Sequence, residues 1–223
     1  AADDVVLTVG DDLTVTTTTG ITAGAFAGAT TAVTVTDDAT HTGAVTVTGG
    51  AGAGSFATYT IGGDATFTGG INLVTNDKSI LVLNGASAQA IAGVISGAGD
   101  INVTNTSSVT FSGDSTFTGE LVVNNDTNNQ AVTFAGDFAG AITLGDNTGA
   151  DTVTANFNGT TLAISGGITG GGSTVSNVNF LGGRTITLSG AASSSIDTTT
   201  VTGNTTVTTN QNFASTNISV ASG

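Results

Sequence analysis

The sequence predicts an all-β protein built as a parallel β-helix, that is, a β-solenoid. Short stretches alternate apolar residues with Thr, Ser or Asn, and clusters of Gly, Asp and Asn separate them. Related segments return at intervals of about 20 to 25 residues, which is the length of one coil stacked on the coil before it. An antiparallel β-sandwich is the alternative fold, because alternation and short turns fit it as well.

The predicted strands begin near the N-terminus and recur along the whole chain. Alternation with period two places the apolar side chains on one face of a strand and the hydroxyls on the other. Pairs such as Asp37-Asp38, Gly49-Gly50 and Gly62-Gly63 have the composition of turns and mark strand ends. The clearest predicted strands are Val5–Val9, Leu13–Thr16, Val33–Thr36, Val45–Thr48, Ile101–Thr104, Val109–Phe111, Val132–Phe134, Ile142–Leu144 and Thr185–Leu188.

An internal repeat supports the solenoid. The segment Gly63–Gly69 reads Gly-Asp-Ala-Thr-Phe-Thr-Gly, and Gly113–Gly119 repeats it with one substitution. Phe67 and Phe117 hold equal positions in the two copies, so we expect their rings to stack at equivalent places in the core. No shift in composition divides the chain. We therefore predict one elongated domain, residues 1–223, with roughly ten coils and a length of about 50 Å.

The stretch Val109–Asn125 resembles the autotransporter-associated β-strand repeat. It runs apolar-Thr-apolar-Ser-Gly, a polar pair, Thr-aromatic-Thr-Gly, and then a strand that ends in Asn. Residues 62–76 and 134–146 are weaker copies, whereas residues 1–60 and 191–223 lack the motif. The bias toward Ala, Thr, Gly and Asn is also similar to rickettsial-type surface antigen passengers and to some bacterial surface-layer proteins. The resemblance implies a right-handed β-helix exported to the bacterial cell surface.

The charge of the chain argues against several kinds of partner. Sixteen acidic residues and two basic residues give a net charge of −14. Nucleic acids and anionic membrane surfaces are both recognised by clustered Lys and Arg, so neither is a predicted partner. Membrane insertion is not predicted, because no run of about 20 apolar residues is present. The absence of cysteine excludes disulfides and cysteine-ligated metals.

Pairs of acidic residues at predicted turns are candidate calcium ligands. Ca²⁺ takes roughly six to eight oxygen ligands, and stacked coils could bring several carboxylates together. The alternative is that these residues are solvated turn residues that keep the protein soluble. The candidate ligands are Asp3, Asp4, Asp11, Asp12, Asp37 and Asp38.

The sequence does not predict an enzyme. His41 is the single histidine, and its position between Thr40 and Thr42 suggests an exposed strand residue. Lys78 is expected to form a local pair after Asn76-Asp77, and Arg184 is expected in a turn after two glycines. The remaining acidic residues are too numerous and too similar in context to single out a catalytic pair.

The predicted function is structural: a self-assembling subunit of an extracellular layer, sheath or filament. The terminal strands Val5–Val9, Thr205–Thr208 and Asn217–Val220 lack the Pro, helix or Lys cluster that protects exposed strand edges, so we expect them to pair between copies. The alternative is an adhesin passenger that binds a host cell, a neighbouring cell or its matrix. Ice binding through rows of Thr-x-Thr is a third interpretation.

Overall fold

The computed structural model describes residues 4–24, 26–105, 108–123, 129–145, 151–171, 175–190 and 192–221. The regular elements in these ranges are strands. The same ranges contain no helix that is long and apolar enough to cross a membrane. The strands are β1 (Val5–Val9), β2 (Leu13–Val15), β3 (Thr19–Thr22), β4 (Thr31–Val35), β5 (Ala39–His41), β6 (Val45–Thr48), β7 (Ala57–Ile61), β8 (Ala65–Phe67), β9 (Ile71–Leu73), β10 (Ser79–Leu83), β11 (Ala88–Ile91), β12 (Ile95–Gly97), β13 (Asp100–Val103), β14 (Ser108–Phe111), β15 (Glu120–Val123), β16 (Gln130–Phe134), β17 (Ala141–Leu144), β18 (Thr152–Phe157), β19 (Thr161–Ile164), β20 (Ile168–Gly170), β21 (Val175–Phe180), β22 (Thr185–Leu188), β23 (Ser193–Thr202), β24 (Thr206–Thr209) and β25 (Phe213–Ala221).

These strands stack into a parallel β-solenoid of about nine turns with three faces. Each strand pairs in parallel with the strand one coil before or after it. Face A is formed by β1, β4, β7, β10, β13, β15, β17, β20 and the start of β23. Face B is formed by β2, β5, β8, β11, β14, β16, β18, β21, β23 and β25. Face C is formed by β3, β6, β9 and β12, followed by β19, β22 and β24. The predicted parallel β-helix is confirmed, and the sandwich alternative is wrong.

The coils differ in length. Hydrogen-bonded positions lie 26 residues apart in the first coils and 20 residues apart between Asn84 and Thr104. Face C is interrupted where the coils are short, and the isolated pairs Ile95–Ser115 and Phe138–Ile164 bridge the interruption. The loops therefore absorb insertions while the strands keep their register, as expected for a repeat in which each coil contacts only its neighbours.

Alternation turns every second side chain into the core. In β7 and β10 the residues at the first, third and fifth positions are buried and those between them are partly exposed. One inward position of face B forms a continuous column from the first coil to the last. Its members are Val15, His41, Phe67, Ile91, Phe111, Phe134, Phe157, Phe180, Val201 and Val220.

The prediction that Phe67 and Phe117 hold equivalent places in the core is wrong. Both rings are fully buried, but Phe67 lies on face B opposite Ile91, whereas Phe117 lies on face C near Phe138. Thr116 and Thr118 donate their amides to carbonyls of β12, which fixes that assignment. Because the intervening coils shorten, β14 occupies face B and the second copy of the motif moves to the next face.

Glycines form two columns at the corners of the solenoid. A side chain at any of these positions would meet the backbone carbonyl of the coil below. The columns therefore allow the chain to turn a corner with the coils in close contact. One column contains Gly69, Gly93, Gly113 and Gly136, and the other contains Gly119, Gly140 and Gly166.

Candidate functional site

No described coil covers the first coil of the solenoid. The first coil consists of β1, β2 and β3, and within the described ranges each of these strands pairs on one side only. Leu7 is 53% exposed, although its register partner Val33 belongs to the inner column of face A. A cavity of about 240 Å³ opens here. Its apolar walls include Leu7, Val9, Leu13, Val15, Ile21 and Val33.

Two polar side chains also line this cavity from the second and third coils. His41 and Tyr59 are each 1% exposed, and a hydrogen bond of 2.6 Å joins His41 Nε2 to the Tyr59 hydroxyl. The imidazole stacks on Phe67 with ring centroids 4.7 Å apart. The second ring nitrogen, Nδ1, is buried without a hydrogen-bond partner among the described residues. The pair therefore belongs to the core and not to a solvated site.

The prediction that His41 is an exposed strand residue is wrong. Its register partners are Val15 and Phe67, so it occupies the inward column of face B. The pattern itself carried the signal: Thr40 and Thr42 flank His41 just as Thr66 and Thr68 flank the buried Phe67. Alternation places a residue between two exposed threonines inside, whatever its polarity.

Burial controls the charge of both groups. It lowers the pKa of the His41 imidazole below its ordinary value of 6.5 and raises the pKa of the Tyr59 phenol above its ordinary range. Both side chains are therefore neutral at neutral pH. Among the described residues, Tyr59 is the ionisable group that contacts the imidazole, and Phe67 covers its face.

We expect the protein to lose stability as the pH falls below about 6.5. In that range the unfolded chain binds a proton at His41, whereas the folded chain, with its lowered pKa, resists protonation. The contribution is complete above the unfolded pKa and is lost progressively below it. Melting temperatures measured between about pH 7.5 and pH 5, above most carboxylate titration, will show the loss. The non-titrating variant His41→Gln should show a smaller change over the same range; an equal change in both proteins would contradict this account.

The structure brings together three of the six proposed calcium ligands. Carboxylate oxygens of Asp11, Asp12 and Asp37 lie within 4.8 Å of one another on the exposed surface near the N-terminal end. Asp4 is separate and accepts hydrogen bonds from the amide and hydroxyl of Thr30. Asp3 lies outside the described residues. With one oxygen from each, the three carboxylates supply at most half of the roughly six to eight ligands that calcium takes, and the calcium site stays a prediction.

Several turn acids have a structural role that the sequence interpretation missed. Asp38 accepts a hydrogen bond of 2.7 Å from the amide of Asp64, one coil later. Asp137 does the same for the amide of Ala163, also at 2.7 Å. A carboxylate at a corner thus satisfies a backbone donor of the next coil. The signal was the spacing of 26 residues between Asp12, Asp38 and Asp64.

Of the two basic residues, Lys78 contacts the backbone of a neighbouring coil. Lys78 Nζ donates to the carbonyls of Gly50 and Gly52, at 3.2 and 2.7 Å, in the preceding coil. The expected local pair after Asp77 is therefore replaced by a contact between coils. Arg184 precedes β22 and lies in the predicted turn.

The last described strand, β25, is likewise uncovered among the described residues. Ile218 and Val220 occupy inward register positions of face B, yet they are 63% and 76% exposed because no described coil lies beyond β25. Residues 203–221 contain no charged side chain. The N-terminal end, in contrast, exposes Asp11 and Asp12. The two ends are thus both apolar at the core but differ in charge.

Comparison with known proteins gives no relative from which a function could be transferred: no family model, no curated protein and no solved structure matches the chain. The candidate functional site is defined by geometry alone: the cavity of the first described coil and the exposed side chains of β25.

Proposed function

We propose that this protein is a structural subunit that assembles end to end into an extracellular layer, sheath or filament. The observation that supports the proposal is the exposure of core positions at both ends, Leu7 at one and Val220 at the other. Exposed strand edges and apolar positions at the end of a stack of coils can pair with a second copy of the chain. Removing these apolar side chains from water favours a contact between ends.

Contact between the N-terminal end of one copy and the C-terminal end of another is more favourable than contact between two N-terminal ends. The N-terminal end carries the exposed carboxylates of Asp11 and Asp12, whereas residues 203–221 at the C-terminal end have no charged side chain. A contact between two N-terminal ends would bring like charges together, whereas a head-to-tail contact avoids this. Head-to-tail contact also keeps all strands parallel. Such a contact does not close on itself, so it produces a filament.

The resemblance to exported passenger domains is the basis for placing the assembly outside the cell. The net charge of −14 opposes association by mutual repulsion between copies. Salt screens that repulsion, so assembly should strengthen as ionic strength rises. The adhesin alternative predicts a monomer instead.

Rows of threonine on face B bear on the ice-binding alternative. Thr14, Thr40 and Thr66 are register partners, and Thr16, Thr42 and Thr68 follow two residues later in the same strands and turns. The rows are interrupted in the fourth coil, where alanines take the corresponding positions at 90 and 92. The first row resumes with Thr110 and Thr133 and then reaches Asn156. Because the two threonine rows run side by side without interruption through three coils only, we favour assembly over ice binding.

We expect Val220→Asp to weaken association by tenfold or more, since juxtaposed like charges cost several kcal/mol at an interface, about 1.4 kcal/mol per factor of ten. The new carboxylate would meet the acidic N-terminal end of the next copy. Val94→Asp is the matched control, because Val94 is 52% exposed in the middle of the solenoid. Light scattering against protein concentration, at low and high salt, measures the effect. A wild-type protein that stays monomeric throughout, or equal effects of the two variants, would contradict the proposal.

A further inference from the structure

We infer that the contact between copies has a defined register, in which three columns of the core continue from one molecule into the next. Phe213, Ile218 and Val220 of one copy would lie on Leu7, Leu13 and Val15 of the following copy. This inference rests on the proposed end-to-end assembly and specifies its geometry.

Two of the columns belong to face B. The column that ends in Val220 begins at Val15, as described above. The neighbouring inward column, two residues earlier in each strand, begins at Leu13 and ends at Ile218. Its members in order are Leu13, Ala39, Ala65, Gln89, Val109, Val132, Ala155, Val178, Thr199 and Ile218.

The third column belongs to face A. Leu7 pairs with Val33, and Val33 with Tyr59, and the column then continues through the interior of every later coil. At the other end of the solenoid Ser193 pairs with Phe213, the first residue of β25. The column of Leu7 reaches Ile168 through successive strand pairs. Thr169 pairs with Ser194, so Ile168 and Ser193 are aligned one position earlier. Ser193 and its partner Phe213 therefore belong to the same column as Leu7.

The receiving end has the shape that this register requires. Leu7, Leu13 and Val15 all line the open cavity of the first coil, so the three columns lead to one apolar depression. The last described strand of face C is β24, which precedes β25, so the contact between described strands would be made by faces A and B. The donor residues Phe213, Ile218 and Val220 come from β25, which spans these two faces.

Cysteine cross-linking tests the register, because the chain contains no cysteine of its own. Leu13→Cys and Ile218→Cys are prepared as separate proteins, so that each carries one thiol. Adjacent parallel strands lie about 4.8 Å apart, which is within the range of Cα separations that a disulfide accepts. Under mild oxidation we expect a covalent heterodimer from the mixture and no covalent dimer from either variant alone. Circular dichroism of each variant verifies that it is folded.

The matched control is Leu13→Cys mixed with Val220→Cys, which is displaced by two residues along the strand. It should cross-link much more slowly than the Leu13–Ile218 pair. Faster cross-linking of the control pair, or dimers of a single variant, would overturn the register. Light scattering of the wild-type protein separates the two levels of the argument: assembly without the predicted cross-link rejects the register alone, whereas a monomer rejects both the register and the proposed function.

Discussion

Phe134→Ala is expected to lower the free energy of unfolding by about 3 to 5 kcal/mol, the range for a large aromatic side chain removed from a packed core. Phe134 is fully buried, and its ring lies 5.5 Å from Phe111, 5.0 Å from Phe157 and 4.9 Å from Phe138. The substitution would therefore leave a cavity between three other rings. Urea denaturation followed by circular dichroism measures the loss.

Thr133→Ala is the matched control, since Thr133 is the preceding residue of β16 and its side chain points outward. We expect a change of less than about 1 kcal/mol there. Phe67→Ala and Phe117→Ala should fall in the same range as Phe134→Ala, because complete burial is common to all three positions. Equal losses at Thr133 and Phe134 would mean that the inward and outward faces of β16 are assigned incorrectly.

Local pattern in the sequence predicted the strands well because alternation is a property of single strands. Val45–Thr48 is both the predicted strand and β6, with its valines buried. The same rule, applied to His41, would have placed the imidazole in the core. The sequence interpretation departed from the rule there because a histidine is polar, and the Tyr59 hydroxyl that accommodates it comes from the next coil.

Relations between coils were harder to predict, because they depend on loop lengths that alternation does not report. The motif at 63–69 and its copy at 113–119 lie on different faces, since the coils between them shorten from 26 to 20 residues. The hydrogen bond from the Asp64 amide to the Asp38 carboxylate likewise requires the register between coils. The column that joins Leu13 to Ile218 also needed the full set of strand pairs.

The reason that glycine is required in the glycine columns could be predicted from the sequence only in part. Glycines that separate the predicted strands were interpreted as turn residues, which need conformational freedom. Gly93, however, is not in the left-handed region of backbone conformation. The structure requires glycine there because a Cβ atom would overlap the carbonyl of Gly69 in the coil below. The constraint is therefore the close approach of two backbones and not the turn conformation.

Gly93→Ala is accordingly expected to destabilise the protein by about 3 kcal/mol or more, at the upper end of the range for overpacking, because the obstructing atom is backbone and has no rotamer to change. Gly20→Ala is the control: Gly20 lies in β3 with an ordinary backbone conformation, and no atom lies within 4 Å of the place that an added methyl group would take. It should be neutral or raise stability by about 0.4 to 1 kcal/mol through the lower entropy of the unfolded chain. Thermal melting of both variants, followed by circular dichroism, decides between the two interpretations of the glycines. If Gly93→Ala melts at nearly the same temperature as Gly20→Ala, the coils are not in contact at this corner, and the glycine serves the turn alone.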